Sequence, residues 1–487
     1  ACQPSSRREI ATSAFRQPTF NFKSKTMKPL LILLLAVSTL CGAQKPNIIF
    51  ILVDDLGKEW VSCYGAEDIK TPHIDKLAKD GMLFHNVYSM PQCTPSRVTL
   101  LTGQYPQRHG WVNHWDVPRW GARAHFDPSM YPSLGKVMKS AGYSTCVAGK
   151  WQINDFRIEP RSLAEAGFDQ WCMWTGGEGG NLKQSSKRYW DPYIFQDDNS
   201  QTRKDKFGPD LYAQFIFDFI TNKKDESFFI YWPMALTHGP LVHTPLNPDA
   251  RSKMDKHIAM VRYTDHLVKQ LRDHLEKHKL SENTLVIFTT DNGTSGSISG
   301  RRNGTLVRDG KTKLTENGIS APFIACWPAK IKPDQSTQAL VDFSDILPTF
   351  AEMAGIKVDA KGIDGISFLS ALTDPESKTG KTHILALGSH PAKLSNGQVI
   401  PALAFKPRSI RNQRWKVQVD KNKQISHLHD LKNDCWEKNN LIDSKDLEPT
   451  KALGQFQKII DRMPAKDAIP RYRLNPVQAW DKKPSKK

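Results

Sequence analysis

The sequence predicts an α/β fold, in which a doubly wound sheet flanked by helices is followed by a smaller C-terminal α+β subdomain. Several short runs are apolar without alternation, which is typical of strands buried on both faces of a parallel sheet. Amphipathic helical segments separate these runs, so strands and helices alternate along the chain. At 487 residues, the chain is also long enough to bury a large core.

The first buried run is NIIFILV at residues 47–53, and it ends at Asp54 and Asp55. Its lack of alternation predicts a central strand. The segment TPHIDKLAKDG then predicts a helix, because Thr71 stands at the N-cap and Pro72 at the first helical position. These two elements open the predicted α/β domain.

Three further runs predict central strands, and their sequences are STCVAG, FFIYWPM and NTLVIFTT. The long amphipathic segment at residues 254–278 predicts a helix that leads into the third of these strands. From about residue 377 the predicted strands become shorter and more polar, as in WKVQVD. This change in strand length and polarity indicates the C-terminal subdomain.

The N-terminal region predicts export. Residues 27–43 begin with Met-Lys, continue with the apolar run PLLILLLAVSTL and end in CGA, which is the pattern of a signal peptide. The apolar run is too short to span a bilayer, so we expect no stable membrane anchor and a periplasmic or extracellular protein. Residues 1–26 match no targeting pattern, and we treat them as an upstream extension. The predicted domains are then the main α/β domain at residues 44–376 and the C-terminal subdomain with its basic tail at residues 377–487.

The formal charge of +18 favours an anionic partner, such as nucleic acid, anionic lipid or a sulfated or phosphorylated sugar. No groove-reading motif accompanies the charge, so we expect no nucleic-acid partner. The cysteines after residue 44 are Cys63, Cys93, Cys146, Cys172, Cys326 and Cys435. Their spacing indicates neither a zinc site nor a disulfide framework, although one or two bridges are compatible with export.

Polar side chains follow the ends of the predicted central strands. They are Asp54 and Asp55, Asp291 and Asn292, Lys150, and His238. Because ligands bind beyond the carboxyl ends of strands in an open α/β sheet, we expect these side chains to meet at one mouth. Three carboxylates and one amide are hard oxygen ligands, which suit Ca²⁺ or Mg²⁺ better than zinc. For either pair alone, the alternative is that Asp and Asn side chains cap turns and helices.

The segment CTPSRVTLLTG, from Cys93 to Gly103, places a cysteine in a stiff and basic setting. By its residues alone, this cysteine is compatible with a disulfide half, a metal ligand, a thiolate nucleophile or the precursor of another group. The segment resembles the sulfatase signature, which begins C-x-P-S-R and ends T-G, at every fixed position. GYSTCVAGKW resembles the second signature of that family, and similar segments continue in the expected order to about residue 441. The resemblance implies a formylglycine-dependent, arylsulfatase-like sulfatase with the mixed sheet of the alkaline phosphatase superfamily.

In that family the cysteine is oxidised to Cα-formylglycine, an aldehyde that is hydrated at rest. The resemblance therefore implies that Cys93 is a precursor, with a formylglycine-generating enzyme as a transient partner. One hydroxyl of the hydrate attacks sulfur and expels the alcohol, and the second hydroxyl then releases sulfate by elimination. The resemblance also implies a bound Ca²⁺, with Mg²⁺ as the alternative, that activates the attacking hydroxyl. Its ligands would be Asp54, Asp55, Asp291 and Asn292.

The resemblance assigns further roles to single residues. Arg97 matches the arginine that holds the formylglycine hydrate, and Lys150 and Lys311 match lysines that bind the sulfate. His238 stands where the family has the general acid for the departing oxygen. Asp291, besides binding the metal, is a candidate base for the nucleophilic hydroxyl.

Two positions depart from the family pattern. Asp309 replaces one glycine of the usual R-G-G-K segment. Gln152 stands where the family commonly has a histidine after G-K-W, and glutamine cannot take a proton at pH 7. A substitute base would come from His109 or His114 in the nearby loop, or the last chemical step would be slower.

The substrate is indicated by charge and by aromatic loops. Residues 105–120 and 170–193 are rich in Trp, His and Arg, and such side chains can stack on sugars and pair with sulfates. Trp111 and Trp115 are the specific candidates, and ordinary aromatic packing is the alternative. Together with export, this favours a sulfated polysaccharide or oligosaccharide. The alternative functions are a phosphate or phosphonate ester hydrolase of the same superfamily, and a catalytically impaired homologue that binds polyanions.

Overall fold

The computed structural model describes residues 45–113, 125–174, 186–389, 392–395 and 398–472. The predicted signal peptide and upstream extension lie outside the described residues. The strands are β1 (Asn47–Val53), β2 (Met82–Tyr88), β3 (Ser144–Lys150), β4 (Gln170–Trp174), β5 (Tyr193–Gln196), β6 (Asn199–Thr202), β7 (Phe228–Pro233), β8 (Thr284–Thr290), β9 (Ser299–Arg302), β10 (Thr305–Arg308), β11 (Ser320–Cys326), β12 (Gln335–Asp342), β13 (Ile384–Leu387), β14 (Ala392–Ser395), β15 (Gln398–Pro401), β16 (Arg408–Arg411), β17 (Trp415–Val419) and β18 (Ile425–Asp430). The helices are α1 (Pro72–Lys79), α2 (Cys93–Thr102), α3 (Pro106–His109), α4 (Leu134–Ser140), α5 (Ser162–Glu165), α6 (Gly208–Asn222), α7 (Lys253–Lys277), α8 (Glu316–Ile319), α9 (Ile346–Met353), α10 (Leu369–Thr373) and α11 (Leu447–Asp461).

A mixed sheet, ten-stranded over the described residues, forms the centre of the protein, with the order β12-β2-β11-β8-β1-β7-β3-β4-β5-β6. β1 pairs in parallel with β7 and β8, and every residue of β1 is buried. Burial on both faces explains the unbroken apolar run, and the predicted α/β fold is confirmed. β11 runs antiparallel to both β8 and β2, so β2 points in the same direction as β8.

Helices pack on both faces of this sheet. Successive residues of β1 point to opposite faces. On one face Phe50 lies in a buried cluster with Phe350 of α9, and on the other Ile51 lies in a cluster with Ile216 of α6 and Leu267 of α7. Each such side chain contributes roughly 1.5–3 kcal/mol by leaving water. This two-sided core is the doubly wound arrangement that alternating strands and helices predict.

The predicted helix boundaries agree with the structure to within a few residues. α1 begins at Pro72, but the hydroxyl of Thr71 bonds to Asp75 Oδ1 at 3.2 Å and does not cap the helix. α7 has a complete capping box, since Ser252 and Asp255 each accept a hydrogen bond from the other's backbone N–H. The capping box was not predicted.

The C-terminal region contains a four-stranded antiparallel sheet with the order β13-β16-β17-β18. Phe456 and Ile460 of α11 pack in one buried cluster with Ile410, Val417 and Leu428 of this sheet. In the described residues, none of the cysteines forms a disulfide. No described helix combines the length and apolar character needed to cross a bilayer.

Candidate active site at the carboxyl edge of the sheet

The predicted site residues converge where β1, β2, β3, β7 and β8 end. They are Asp54 and Asp55 after β1, Cys93 after β2, Lys150 at the end of β3, His238 after β7, and Asp291 and Asn292 after β8. Ligand atoms of Asp54, Cys93 and Asp291 lie within 4.8 Å of one another, and so do those of Asp54, Asp55 and His238. The structure therefore brings together side chains that are up to 238 positions apart in the sequence.

Cys93 is the first residue of α2, and Gln92 precedes it in an extended conformation with φ −151°. Every residue of α2 is buried, and the helix ends at Gly103, whose φ is +68°. The first turn of a helix leaves backbone N–H groups unpaired and carries a partial positive charge. Cys93 Sγ therefore lies where an anionic group is stabilised.

Ser96 anchors this helix to the metal-ligand region. Its hydroxyl donates to the carbonyl of Asp291 at 2.5 Å and accepts from the backbone N–H of Met90 at 3.0 Å. The first bond holds the start of α2 against the end of β8, and the second fixes the segment between β2 and α2. Ser96 is a fixed position of the signature, and its role in joining α2 to the end of β8 was not predicted.

Arg97 lies one helical turn after Cys93 and is buried. Its Nη2 donates to Asp291 Oδ2 at 2.9 Å and to Asp54 Oδ2 at 3.2 Å, while Nη1 donates to the carbonyl of Lys150 at 2.8 Å. One guanidinium group thus joins α2 to the ends of β1, β3 and β8.

Lys150 reaches the site because its neighbour is glycine. Gly149 has φ +127°, and a Cβ at this position would lie 2.0 Å from the carbonyl oxygen of Pro233 at the end of β7. Only glycine allows this approach of the two strands. The ammonium group of Lys150 is fully buried and donates to Asp54 Oδ2.

Lys311 contacts the second aspartate of the pair that follows β1. Its Nζ donates to Asp55 Oδ2 at 2.7 Å, and its backbone N–H bonds to the carbonyl of Thr294. Asp309, the departure from R-G-G-K, has φ +55°. Glycine adopts this left-handed conformation readily and aspartate tolerates it, so the backbone that leads to Lys311 is retained.

His238 faces the same carboxylate. Its Nε2 lies 3.7 Å from Asp55 Oδ2, and its Nδ1 lies 2.7 Å from the carbonyl oxygen of Gly239 and 3.1 Å from Arg188 Nη1. Burial and the charge of Lys150 hold the pKa of His238 well below its ordinary value. Nε2 is the ring nitrogen that faces the site.

The buried carboxylates Asp54 and Asp291 share Arg97. Burial opposes the ionisation of Asp54, but the nearby positive charges, Lys150 foremost, outweigh it and hold its pKa well below the ordinary value. Burial and the negative charge of Asp54 raise the pKa of Asp291 well above its ordinary value. An additional positive charge is what would keep both carboxylates ionised.

The donor set fits a divalent cation. Asp54 Oδ1 and Asn292 Oδ1 are buried and accept no hydrogen bond from the described residues. Buried acceptors without a partner are unfavourable, and a cation would satisfy them. Asp55, with φ +58°, accepts from Asn292 Nδ2 at 2.8 Å and donates its backbone N–H to Asp291 Oδ1 at 3.2 Å. These four oxygen-bearing side chains suit Ca²⁺ or Mg²⁺.

The suggestion that His109 substitutes as a base for Gln152 is wrong. Nδ1 of His109 accepts from the backbone N–H of Trp111 at 3.0 Å, so Nε2 carries the proton and pairs with Thr99 Oγ1 at 3.1 Å. Neither nitrogen is left to take a proton, and burial lowers the pKa of His109 to about 3. Gln152 itself is 9% exposed and has φ +63°. His114 lies outside the described residues.

The prediction that Trp111 stacks on sugar is also wrong. Trp111 is fully buried, packs against Phe126 with ring centroids 6.4 Å apart, and donates from Nε1 to Tyr131 OH at 3.2 Å. It belongs to the core below the loop. Trp115 lies outside the described residues.

Sequence reasoning missed Arg188 and Trp174 as neighbours of the site. The guanidinium of Arg188 lies 3.8 Å from the centroid of the Trp174 ring, besides its contact with His238. Both residues belong to the segment at residues 170–193, whose content of Trp, His and Arg had indicated a contribution to substrate binding. The contact of Arg188 with His238 joins residues 50 positions apart, and no local pattern predicts it.

The fold and the site define a hydrolase of anionic esters, with a reactive position at a helix N-terminus between oxygen ligands and buried cations. The chain belongs to the sulfatase family. The family model described as Sulfatase matches residues 46–356, and the model described as N-sulphoglucosamine sulphohydrolase, C-terminal, matches residues 309–463. The predictions of family and enzyme class are confirmed, and the protein is a sulfuric ester hydrolase.

Relatives extend this result over much of the chain. The protein is 30% identical over 372 residues to N-acetylgalactosamine-6-sulfatase from Canis lupus familiaris, which covers 70% of this chain and 69% of the relative. It is 27% identical over 452 residues to the ulvan-active sulfatase from Formosa agariphila, covering 84% and 78%. The solved structure of Ps i-CgsB in complex with k-i-k-neocarrahexaose matches with a TM-score of 0.72 and 25% identity, covering 88% of this chain and 95% of that one. Sulfatases generally use a formylglycine and a divalent metal.

Proposed function

We propose that this sulfatase acts after export on a sulfated polysaccharide or its oligosaccharides, and that it uses a formylglycine made from Cys93 beside a bound Ca²⁺. The observation that carries the proposal is the convergence of Cys93 Sγ with the carboxylates of Asp54 and Asp291 within 4.8 Å. A formylglycine-generating enzyme is then required as a transient partner.

Asp54, Asp55, Asp291 and Asn292 would hold the ion. When bound, a formylglycine hydrate supplies a hydroxyl nucleophile, and the divalent ion polarises the sulfate and favours ionisation of that hydroxyl. Arg97, Lys150 and Lys311 balance the three carboxylates, and Arg188 beside His238 adds a fourth cation. A divalent ion therefore gives the site a positive surplus, which favours a negatively charged sulfate ester.

The chain's own residues position the ester and move protons. Lys150, which contacts Asp54, and Lys311, which contacts Asp55, bind the sulfate oxygens. Arg97 holds the side chain at position 93, and Asp291 takes a proton from the nucleophilic hydroxyl. His238 holds a proton at Nε2 and donates it to the departing sugar oxygen.

The names of the relatives support the substrate class. They refer to an N-acetylgalactosamine-6-sulfatase, to ulvan and to neocarrahexaose. The net charge of +18 favours a polyanionic substrate in the same way. The signal-peptide pattern at residues 27–43 supports export. Export would bring the enzyme into contact with such polymers.

Sulfate release from oligosaccharides of chondroitin 6-sulfate, ulvan and carrageenan tests this proposal. The purified protein should release sulfate from at least one of them, and Cys93→Ala should abolish release. Cys435→Ser, which removes an exposed thiol, is the matched control and should retain full activity on 4-nitrophenyl sulfate. The comparison of 4-nitrophenyl sulfate with 4-nitrophenyl phosphate separates the alternative: a higher kcat/KM for the phosphate would contradict the proposal.

A further inference from the structure

A cavity of about 780 Å³ lies between the ten-stranded sheet and the C-terminal sheet. Its walls come from the loop after β1, from the end of β2, from the β9–β10 turn, from β16 and from the segment after β18. Of the described residues that line it, none belongs to the catalytic or metal-ligand set. Its volume is within the range of small-molecule sites and accommodates a sugar unit.

The cavity walls carry more positive than negative charge. The cationic residues that line it are Lys58, Arg302, Arg411, Arg414 and Lys432. Glu316 is the single carboxylate among the described lining residues. Its Oε1 already pairs with Lys416 Nζ at 3.0 Å, and its Oε2 accepts from Tyr88 OH at 2.7 Å. Glu316 Oε2 also lies 3.8 Å from Arg411 Nη1, and Arg414 pairs with Asp430 at 2.8 Å. Among the described lining residues, the cations without an ion pair are therefore Lys58, Arg302 and Lys432.

Lys58 shows the imbalance most clearly. It is 6% exposed, and its Nζ donates to the carbonyl of His85 at 2.9 Å and to Ser320 Oγ at 2.7 Å. Both acceptors are neutral, and Lys58 forms no ion pair within the described chain. Burial and the charge of Arg302 lower the pKa of Lys58 to about 7. A buried ammonium beside other cations is unfavourable unless an anion accompanies it.

Arg302 and Trp436 supply a recognition surface for a charged sugar. Arg302 Nε is buried and has no hydrogen-bond acceptor among the described residues, and its guanidinium lies 5.2 Å from the centroid of the Trp436 ring. A guanidinium group binds oxyanions through paired hydrogen bonds, and an indole ring covers an apolar face. Lys432 is exposed at the same cavity, so the wall opens to solvent.

We propose that this cavity is a second anion-binding site, which holds a sulfated sugar unit of the polysaccharide outside the catalytic centre. The inference rests on the proposed function, since that function supplies a ligand with both a sulfate group and a sugar ring. The sulfate pairs with Arg302 and Lys58, and the sugar ring lies against Trp436.

Isothermal calorimetry tests the inference. A chondroitin 6-sulfate disaccharide is titrated into the protein that carries the substitution Cys93→Ala. We expect Arg302→Gln to remove one class of binding site, and Lys432→Gln, at an exposed position, to weaken that class by about ten-fold. Arg251→Gln changes an arginine that is 73% exposed and outside the cavity, and it should bind like the parent. In the enzyme with Cys93 intact, Arg302→Gln should leave kcat/KM for 4-nitrophenyl sulfate within about two-fold of the wild-type value, because the cavity is separate from the catalytic site.

Identical binding by the Arg302→Gln, Lys432→Gln and Arg251→Gln proteins would overturn the inference. Inorganic sulfate is titrated in parallel, and an affinity equal to that of the disaccharide would overturn the assignment to a sugar. Failure of the proposed function gives a different result. The protein would then release no sulfate from any sulfated sugar, while Arg302-dependent binding of the disaccharide would still be observed.

Discussion

At the scale of single residues, the active site depends on short contacts that tie each functional side chain to a strand end. Arg97 bonds to Asp54, Asp291 and the carbonyl of Lys150, so the cation is fixed before any substrate arrives. Such preorganised charge is usually the largest contribution to catalysis. The roles of the individual residues follow from what each one faces.

His238→Ala tests the proposed proton donor. A sugar alkoxide leaves poorly without a proton, whereas nitrophenolate leaves without one, so the loss should depend on the leaving group. We expect kcat for a sulfated oligosaccharide to fall by about 100-fold or more and kcat for 4-nitrophenyl sulfate to fall by less than about ten-fold. His278→Ala is the control, since His278 pairs with Thr221 away from the site. Equal losses on both substrates would contradict a role in protonating the leaving oxygen.

Gln152→His tests the departure from the family pattern. Because His109 has no nitrogen available as a base, a histidine at position 152 should supply a proton acceptor for the last chemical step. Above pH 7, where an ordinary imidazole is neutral, we expect kcat for 4-nitrophenyl sulfate to rise by about ten-fold. Gln152→Asn, which adds no base, should not increase kcat. A rise in both variants, or in neither, would show that position 152 does not limit turnover.

At the scale of elements, the site is placed by the ends of parallel strands. β1, β3, β7 and β8 finish at the same edge of the sheet. β2 has the same direction because β11 is antiparallel to both β2 and β8. The close approach of β3 and β7 at Gly149 then directs Lys150 towards Asp54. Strand geometry therefore sets the charge pattern of the site.

Gly149→Ala tests the approach of β3 and β7. A Cβ at this position would lie 2.0 Å from the Pro233 carbonyl oxygen, so the strands must separate. We expect the free energy of unfolding to fall by at least about 2 kcal/mol in urea denaturation, with loss of activity. Gly142→Ala is the matched control, because Gly142 has φ +84° and no atom within 4 Å of its Cβ position. It should cost only the left-handed strain of about 1 kcal/mol, and an equal effect of the two variants would contradict the steric argument.

At the scale of the whole molecule, sequence reasoning predicted the fold and the set of side chains that meets at the sheet edge. This was possible because buried strands have a local signature and their carboxyl ends meet by a general rule. It failed for Trp111, which packs against the distant Tyr472, and for His109, whose two ring nitrogens pair with Thr99 and with the backbone of Trp111. The contact of Arg188 with His238 was unpredictable because it joins residues 50 positions apart. The cavity unites residues from Lys58 to Trp436, and no local pattern marks it.

Removal of the metal tests how far the carboxylate cluster depends on a cation. Treatment with EGTA should abolish sulfate release and lower Tm by at least about 2 °C, because an ion that binds only the folded state stabilises it. Ca²⁺ should restore both activity and Tm. In Asp54→Asn, Ca²⁺ should no longer raise Tm. Full activity and unchanged Tm in the chelated wild-type protein would show that the site needs no Ca²⁺.

The most direct test of the account is mass spectrometry of the tryptic peptide that spans residues 80–97, taken from protein of measured activity. The account predicts that position 93 carries a hydrazine-reactive aldehyde in place of the thiol, and that the rate of sulfate release is proportional to the converted fraction. An unmodified thiol in protein that hydrolyses sulfate esters at the full rate would contradict it.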